Sequence, residues 1–89
     1  MPTRSVTIVN KLGLHARAAA RFVQEASAFE SAINVRHASK EVNGKSIMGV
    51  MMLAASKGSE LELTVNGEDE KEAIADMEEL INNKFGEKE

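Results

Sequence analysis

The chain is short, ordinary in composition and mildly acidic. It has 89 residues, of which 43% are hydrophobic and 28% charged, and it carries a net charge of −3 with no cysteine. These values exclude a disulfide framework, a thiolate metal site and a disordered chain, and they predict one folded domain over residues 1–89. The longest apolar run, residues 47–55, is well short of the roughly 20 residues that cross a bilayer. Residues 1–5 lack the apolar segment of a signal peptide, so we expect a cytoplasmic protein without membrane insertion.

Positive and negative side chains are separated along the chain. Residues 1–45 hold seven basic and three acidic side chains, whereas residues 46–89 hold four basic and eleven acidic ones. Two explanations are open: the positive half steers toward acidic partner surfaces, or the elements simply differ in surface charge. Because the chain has three phenylalanines, no tyrosine, no tryptophan and a negative total charge, we expect no nucleic-acid partner.

The first half of the chain predicts a strand, a turn, a helix and two more strands. Val6–Val9 is rich in β-branched residues and predicts a strand, and residues 10–13 predict a turn. Ala32–Arg36 alternates as a second strand, and Glu41–Asn43 is a short third one. Between the first and second strands, apolar residues recur at the three-and-four spacing of one helical face: Ala19, Phe22, Val23, Ala26 and Phe29.

The second half predicts a short helix, a strand and a closing helix. Glu60–Val65 has the clearest alternation of apolar and polar residues, so it predicts a half-buried strand. Asp69 with Glu72 fits an N-terminal capping pattern, and Gly86 suits a helix C-cap. We therefore expect an α+β fold, an open-faced β-sandwich with a four-stranded, mainly antiparallel sheet and three helices on one face. The closing helix has this apolar stripe: Ala73, Ile74, Met77, Leu80, Ile81 and Phe85.

His15 and Arg17 lie at the predicted start of the first helix. The first N–H groups of a helix have no intrahelical acceptor and its dipole is positive there, so the site suits an anion, above all a phosphate. Arg17 adds a cation beside it. A nucleophilic imidazole at such a site suggests phosphoryl transfer through phosphohistidine; the alternative is a surface histidine that merely caps the helix.

Residues 44–53 form a second motif, which begins at Ser46 and is then apolar almost all round. Two interpretations are open, a small buried helix and a helix with one exposed docking face. We expect Val50 and Leu53 to point inward, and Gly49 to flatten the surface for close approach of a partner. Methionine suits a surface that must fit several partners, because its side chain adapts its shape. The expected outward set is Ile47, Met48 and Met51.

Together, residues 13–17 (Gly-Leu-His-Ala-Arg) and residues 44–53 resemble the two signatures of HPr, the histidine-containing phosphocarrier family of the bacterial phosphoenolpyruvate-dependent phosphotransferase system. The resemblance covers essentially the whole chain and implies the same open-faced architecture. It implies that Nδ1 of His15 accepts a phosphoryl group from enzyme I and passes it to enzyme II A-type domains, with help from Arg17 and without a cofactor. The chain departs from the family at Ala18, where a proline would preset φ in the first turn.

The resemblance also implies a partner-binding face formed by the second helix and the start of the first. We expect a monomeric carrier that has no independent turnover and is not an enzyme. The alternative is a regulatory paralogue that acts mainly as a binding module for kinases or transcription regulators. The expected partner-binding residues are Ala16, Ala20, Arg21, Lys45, Ile47, Met48 and Met51.

Ser46 is a candidate site of regulatory phosphorylation. It is the predicted N-cap of the second helix and borders the docking face, and the family resemblance implies HPr kinase/phosphorylase as a further partner. Phosphate adds about −1.5 to −2 charges, which would disturb docking of an acidic partner. The competing interpretation is that Ser46 only caps the helix, since serine is a favoured N-cap in any protein.

Two further motifs do not indicate sites. Gly44-Lys45-Ser46 resembles the end of a P-loop, but the glycine required five residues earlier is Ser39, which excludes that nucleotide site. His37 has no second histidine or carboxylate cluster near it in the sequence. We therefore expect no metal site, and His37 to be a plain surface residue.

Overall fold

The computed structural model describes residues 2–86, which form four strands and three helices. A short turn at Lys84–Gly86 follows the last helix. In chain order the elements are β1 (Thr3–Thr7), α1 (Ala16–Ala26), β2 (Ala32–His37), β3 (Lys40–Asn43), α2 (Ile47–Met52), β4 (Glu60–Asn66) and α3 (Glu70–Asn82).

The four strands form one antiparallel sheet in the order β1-β4-β2-β3. Val6 pairs with Leu61 across β1 and β4, and Val35 pairs with Leu63 across β2 and β4. These apolar residues are buried, whereas most of the alternate residues are more exposed, as expected for a sheet covered on one face. The predicted α+β fold, with three helices on one face of an open sheet, is confirmed.

The core lies between the covered face of the sheet and helices α1 and α3. Phe22 of α1, Met77 and Ile81 of α3, and Phe85 are fully buried there. Fully buried alanines of α1, among them Ala19, leave room for these larger side chains. Truncating Phe22 to alanine would cost roughly 3–5 kcal/mol, so the packing that holds α1 depends on it.

The predicted bounds of the first strand are wrong. The strand is Thr3–Thr7 and not Val6–Val9, because pairing with β4 runs from Thr3 opposite Thr64 to Thr7 opposite Glu60. Ile8 is buried just beyond the strand, where its N–H donates to the Ser59 carbonyl at 2.9 Å. Residues 3–5 are polar and face solvent. The β-branched run therefore overlapped the strand only at Val6 and Thr7.

Of the two capping predictions for the closing helix, the N-cap position of Asp69 is confirmed, whereas its side-chain capping and the C-cap at Gly86 are wrong. Asp69 occupies the N-cap position of α3, but its side chain makes no capping hydrogen bond. Its carboxylate instead accepts hydrogen bonds from the N–H groups of Glu30 and Ser31, each at 3.0 Å, and from the Ser31 hydroxyl. At the other end, α3 stops at Asn82 with Asn83 as its C-cap. Gly86 lies in the following turn, at φ +80°.

Candidate phosphoryl-acceptor site

His15 is the N-cap residue of α1 and is partly exposed. Its backbone is extended, at φ −75° and ψ 178°, and its carbonyl accepts the first helical hydrogen bond from Ala19 at 2.8 Å. The imidazole makes no capping hydrogen bond, so the alternative in which His15 serves only to cap the helix is not supported. His15 therefore lies at the N-terminal, positive end of α1, as the sequence predicted.

The loop before His15 is held in place by polar and backbone contacts. Asn10 is fully buried, and its Nδ2 donates to the Gly13 carbonyl at 2.8 Å. Gly13 has φ +66°, and a Cβ built on it would lie 2.5 Å from the carbonyl oxygen of Ala55. The next residue, Leu14, donates its N–H to that same oxygen at 2.9 Å. Glycine is therefore required by both the backbone conformation and the close approach of the segment after α2.

Sequence reasoning missed Asn10 as part of this site. Its neighbours in the sequence form a predicted turn, and asparagine is a frequent turn residue because its side chain bonds to nearby backbone. That signal indicates a turn residue but not one that is fully buried. The burial of Asn10 appears only in the folded loop, in which Gly13 lies against residues 55 and 56.

The first turn of α1 presents backbone donors and one cation to solvent. Arg17 and Ala16 are exposed, and the turn contains no acidic residue. Ala18, which stands where the family has proline, is fully buried in the core and continues the helix. A phosphate beside His15 would thus meet helix N–H groups and one guanidinium, with no carboxylate of the same turn to repel it.

α2 has one buried and one exposed face. Ser46 caps it, since its Oγ accepts a hydrogen bond from the Gly49 N–H at 3.1 Å, which confirms the N-cap prediction. Val50 and Leu53 are buried, as predicted. The exposed face, called the α2 patch below, consists of Ile47 (45% exposed), Met48 (71%), Met51 (41%) and Met52 (58%).

Two exposed apolar residues were not predicted, and one glycine has a different role from the one expected. Met52 belongs to the α2 patch, and Leu12, on the loop before His15, is 66% exposed. A bulky apolar residue within a predicted turn was the available signal for Leu12. The glycine is Gly49: a Cβ on it would lie 3.2 Å from the Cβ of Val42, so it allows α2 to pack against β3 and does not open the surface to a partner.

Two of the basic residues predicted for the docking face also donate to backbone carbonyls of other segments. Arg21 donates from Nη1 to the Phe85 carbonyl at 2.9 Å, and Lys45 donates from Nζ to the Phe29 carbonyl at 2.7 Å. Ala20 is exposed beside Arg21 on α1. α1 and α2 contact each other, so the two elements that carry the predicted docking residues are neighbours; that these residues form one docking face stays a prediction.

His37 is not the plain surface residue that the sequence suggested. It is partly buried, and its Nδ1 lies 3.1 Å from the Leu53 carbonyl oxygen at the end of α2. Among residues 2–86, no group of three histidine or carboxylate side chains is arranged to hold a metal ion. The same residues include no helix with the length and apolarity needed to cross a bilayer.

Comparisons with known proteins agree on one family. A family model described as the phosphorylation site of the HPr component of the phosphotransferase system (PTS) matches residues 2–83. The phosphocarrier protein HPr of Neisseria meningitidis is 54% identical over 87 residues, covering 98% of each chain. HPr of Pseudomonas aeruginosa is likewise 54% identical, over 88 residues.

Solved structures show the same similarity. The crystal structure of HPr from Thermoanaerobacter tengcongensis superimposes with a TM-score of 0.95 at 50% identity and full coverage of both chains. A structure described as an HPr dimer from the same organism gives a TM-score of 0.78 at 52% identity. Because a relative of this similarity has been solved as a dimer, the monomeric state expected from the sequence stays a prediction.

Proposed function

We propose that His15 is the phosphoryl acceptor of this chain, which belongs to the HPr family and is a phosphocarrier of the phosphotransferase system. The observation that carries the proposal is the position of His15 as the N-cap residue of α1, ahead of a first turn that holds the exposed Arg17 and no acidic residue. One imidazole nitrogen, Nδ1 by family resemblance, attacks the phosphorus, and the bond to the donor breaks as the P–N bond forms. The reverse exchange passes the group to the next acceptor, so the protein carries the group without a turnover of its own.

The site is suited to holding a phosphoryl group without retaining it. The N–H groups at the start of α1 and the Arg17 guanidinium stabilise the dianion. A single exposed cation in the first turn stabilises the phosphoryl group only moderately, since exposed charge pairs contribute little free energy in water. Enzyme I would be the donor, and enzyme II A-type domains the acceptors.

Successive partners would dock on the α2 patch and the start of α1. An exposed apolar centre with a basic rim is a usual composition for an interface of this kind. Arg21 and Lys45, the expected basic rim, each also donate a hydrogen bond to a backbone carbonyl. The alternative of a regulatory binding module is less favoured, because such a module would not need an imidazole and a guanidinium at an anion site.

The acceptor assignment is tested by labelling with phosphoenolpyruvate and enzyme I. The parent should acquire an acid-labile, base-stable label that His15→Ala abolishes. The matched control is His37→Asn, which removes the second histidine but keeps an amide donor near the position of Nδ1, and it should label like the parent. Label that persists in His15→Ala would overturn the assignment. Arg17→Ala should fold normally and accept the group more slowly.

We also propose that phosphorylation of Ser46 by an HPr kinase/phosphorylase lowers docking on the adjacent α2 patch. The Ser46 hydroxyl is partly buried and caps α2, so a phosphate there would place its charge beside Ile47 and Met48. Ser46→Asp should melt close to the parent and accept phosphate from enzyme I more slowly. Ser39→Asp, which adds the same charge in the β2–β3 turn, is the control. Equal transfer rates in these two variants would leave capping as the whole role of Ser46.

A further inference from the structure

α2 is too short to set its own orientation. It has six residues, and Val50 is its one buried side chain. Isolated helices of this length are unstable in water, because nucleation costs more than a few hydrogen bonds return. The position of the α2 patch therefore depends on what holds the two ends of the helix. Ser46 holds the N-terminal end, as described above.

Two side chains of the β2–β3 hairpin hold the other end. Nδ1 of His37 lies 3.1 Å from the Leu53 carbonyl oxygen, and Nζ of Lys40 donates to the Met52 carbonyl at 3.2 Å. The last carbonyls of a helix have no intrahelical donor, and histidine and lysine side chains are suited to them by hydrogen bonding and by charge. Since a carbonyl only accepts, the hydrogen of this His37 contact must be on Nδ1.

The same short segment continues to the loop that carries His15. Ala54 has φ +52°, so the chain turns sharply after Leu53. One residue later, the Ala55 carbonyl accepts the N–H of Leu14 at 2.9 Å. Residues 52–55 thus join three parts of the molecule: the hairpin, the patch and the loop before His15.

We propose that His37 and Lys40 are positioning residues for partner docking. By holding the Leu53 and Met52 carbonyls they fix the exposed methionines of α2 relative to the His15 loop. The inference rests on the proposed function, because it presupposes that partners dock on the α2 patch. Both residues lie on the β2–β3 hairpin and act through α2. They are expected to change recognition of a partner and to leave the chemical step unchanged.

The kinetic test compares His37→Ala, Lys40→Met and their combination with the parent as substrates of enzyme I. Loss of one hydrogen bond worth about 0.5–1.5 kcal/mol corresponds to a roughly two- to tenfold change in an equilibrium constant. We expect His37→Ala to raise KM within that range, Lys40→Met to raise it less because its contact is exposed, and kcat to stay within about twofold. His37→Asn should restore KM, because its amide can donate to the same carbonyl. A fall in kcat with unchanged KM would overturn the proposal.

The control is Arg36→Ala, because Arg36 is the residue before His37 in β2. Its guanidinium pairs with Glu62 at 2.7 Å, so the variant removes a nearby cation without touching α2, and KM should not change. The methyl signals of Met51 and Met52 in the NMR spectrum provide a readout that needs no partner. They should shift in His37→Ala and return in His37→Asn. Unmoved methyl signals in both His37→Ala and Lys40→Met would exclude the positioning role.

Met48→Asp, measured in parallel, separates failure of this inference from failure of the docking proposal. If Met48→Asp raises KM while the hairpin variants do not, docking on the patch stands and the positioning role is wrong. If Met48→Asp leaves KM unchanged, the patch is not the docking surface and both proposals fail. If His37→Ala does not fold, the exposed Lys40→Met decides between the same outcomes.

Discussion

α1 and α3 begin in opposite ways, although both start beside a loop and both present a positive helix end. The first turn of α1 holds no acidic residue and follows His15, whose ring does not cap the helix. The first turn of α3 contains Glu70 and Glu72 and follows Asp69, which binds three donors of the 30–31 segment. The protein thus supplies anions to α3 from its own chain, whereas under the proposed function the anion at the start of α1 is the phosphoryl group carried on His15. If the proposal is correct, the absence of carboxylates from the first turn of α1 contributes to anion binding as much as the presence of Arg17 does.

The largest effect is expected from moving the loop that places His15. In Gly13→Ala the residue must keep a left-handed backbone, at roughly 1–2 kcal/mol, and its methyl group would meet the Ala55 carbonyl 2.5 Å away. We expect a lower melting temperature and strongly reduced phosphorylation by enzyme I. Gly58→Ala is the control, because Gly58 has φ +92° but nothing within 4 Å of the added methyl. It should lose stability from backbone strain alone and keep its phosphorylation rate.

The contrast between the starts of α1 and α3 can be tested directly by giving α1 an acidic first turn. Ala16→Glu places a carboxylate where α3 has one, and Ala16 is exposed, so the fold should tolerate it. The melting temperature should stay level or rise, because an acid at a helix start contributes about 0.3–1 kcal/mol. Phosphorylation of His15 should slow about fivefold or more, since like charges this close repel by roughly 1 kcal/mol or more. Ala16→Gln, equal in size to the Glu variant and uncharged, reports any effect of bulk on docking and should transfer faster than Ala16→Glu; equal rates in the two variants would contradict the anion-site interpretation.

At the start of α3, removing an anion should cost stability and leave transfer intact. The Ser31 hydroxyl and the backbone N–H groups of Glu30 and Ser31 lower the pKa of Asp69 below its usual 3.8. A depressed pKa stabilises the fold above the pKa of the unfolded chain, and the contribution disappears as the pH falls through the folded value. Asp69→Asn should therefore melt below the parent at pH 7, with the difference shrinking in acid. Glu72→Gln, an exposed first-turn control, should show a smaller change, and both should be phosphorylated at the parental rate.

The smallest effect concerns two carboxyl groups that the fold brings together away from both helix starts. Glu25 of α1 and Asp76 of α3 line a cleft of about 270 Å³. A hydrogen bond with Asp76, together with desolvation and repulsion, raises the pKa of Glu25 above 4.5. A raised pKa stabilises the fold below the unfolded value and loses that contribution as the pH rises through the folded value. The stability of Glu25→Gln relative to the parent should accordingly increase from acidic to neutral pH, as measured by thermal melts.

Glu79→Gln is the control for the Glu25 substitution, because Glu79 lines the same cleft but is exposed. Its melting curve should follow the parent across the pH range. A parallel gain in both variants would mean that reduced net negative charge, and not the carboxyl pair, explains the effect.

Local patterns in the sequence were enough to predict most of the elements and the position of the candidate site. The alternation of β4, the apolar stripe of α1 and the serine before α2 all express contacts within a few residues, and each prediction is confirmed except that Phe29, the last residue of the predicted stripe, lies beyond the end of α1. The placement of His15 at a helix start follows from the same short-range signals. Its role as the phosphoryl acceptor stays a prediction until the labelling experiment is done.

Only the tertiary structure decided where side chains with long-range partners go. Asp69 fits a helix-capping pattern but binds a segment nearly forty positions earlier, and His37 reaches a carbonyl sixteen residues away. Glycine is favoured at position 49 because Val42 of a neighbouring strand lies close to it, and the start of β1 is determined by its register with β4. A local pattern indicates which secondary structure a segment prefers and which face of it is apolar. A hydrogen bond or a steric contact between distant residues exists only once the sheet and helices have packed. The sequence therefore determined that a histidine begins α1, and the packing determined which contacts hold it and the α2 patch in place.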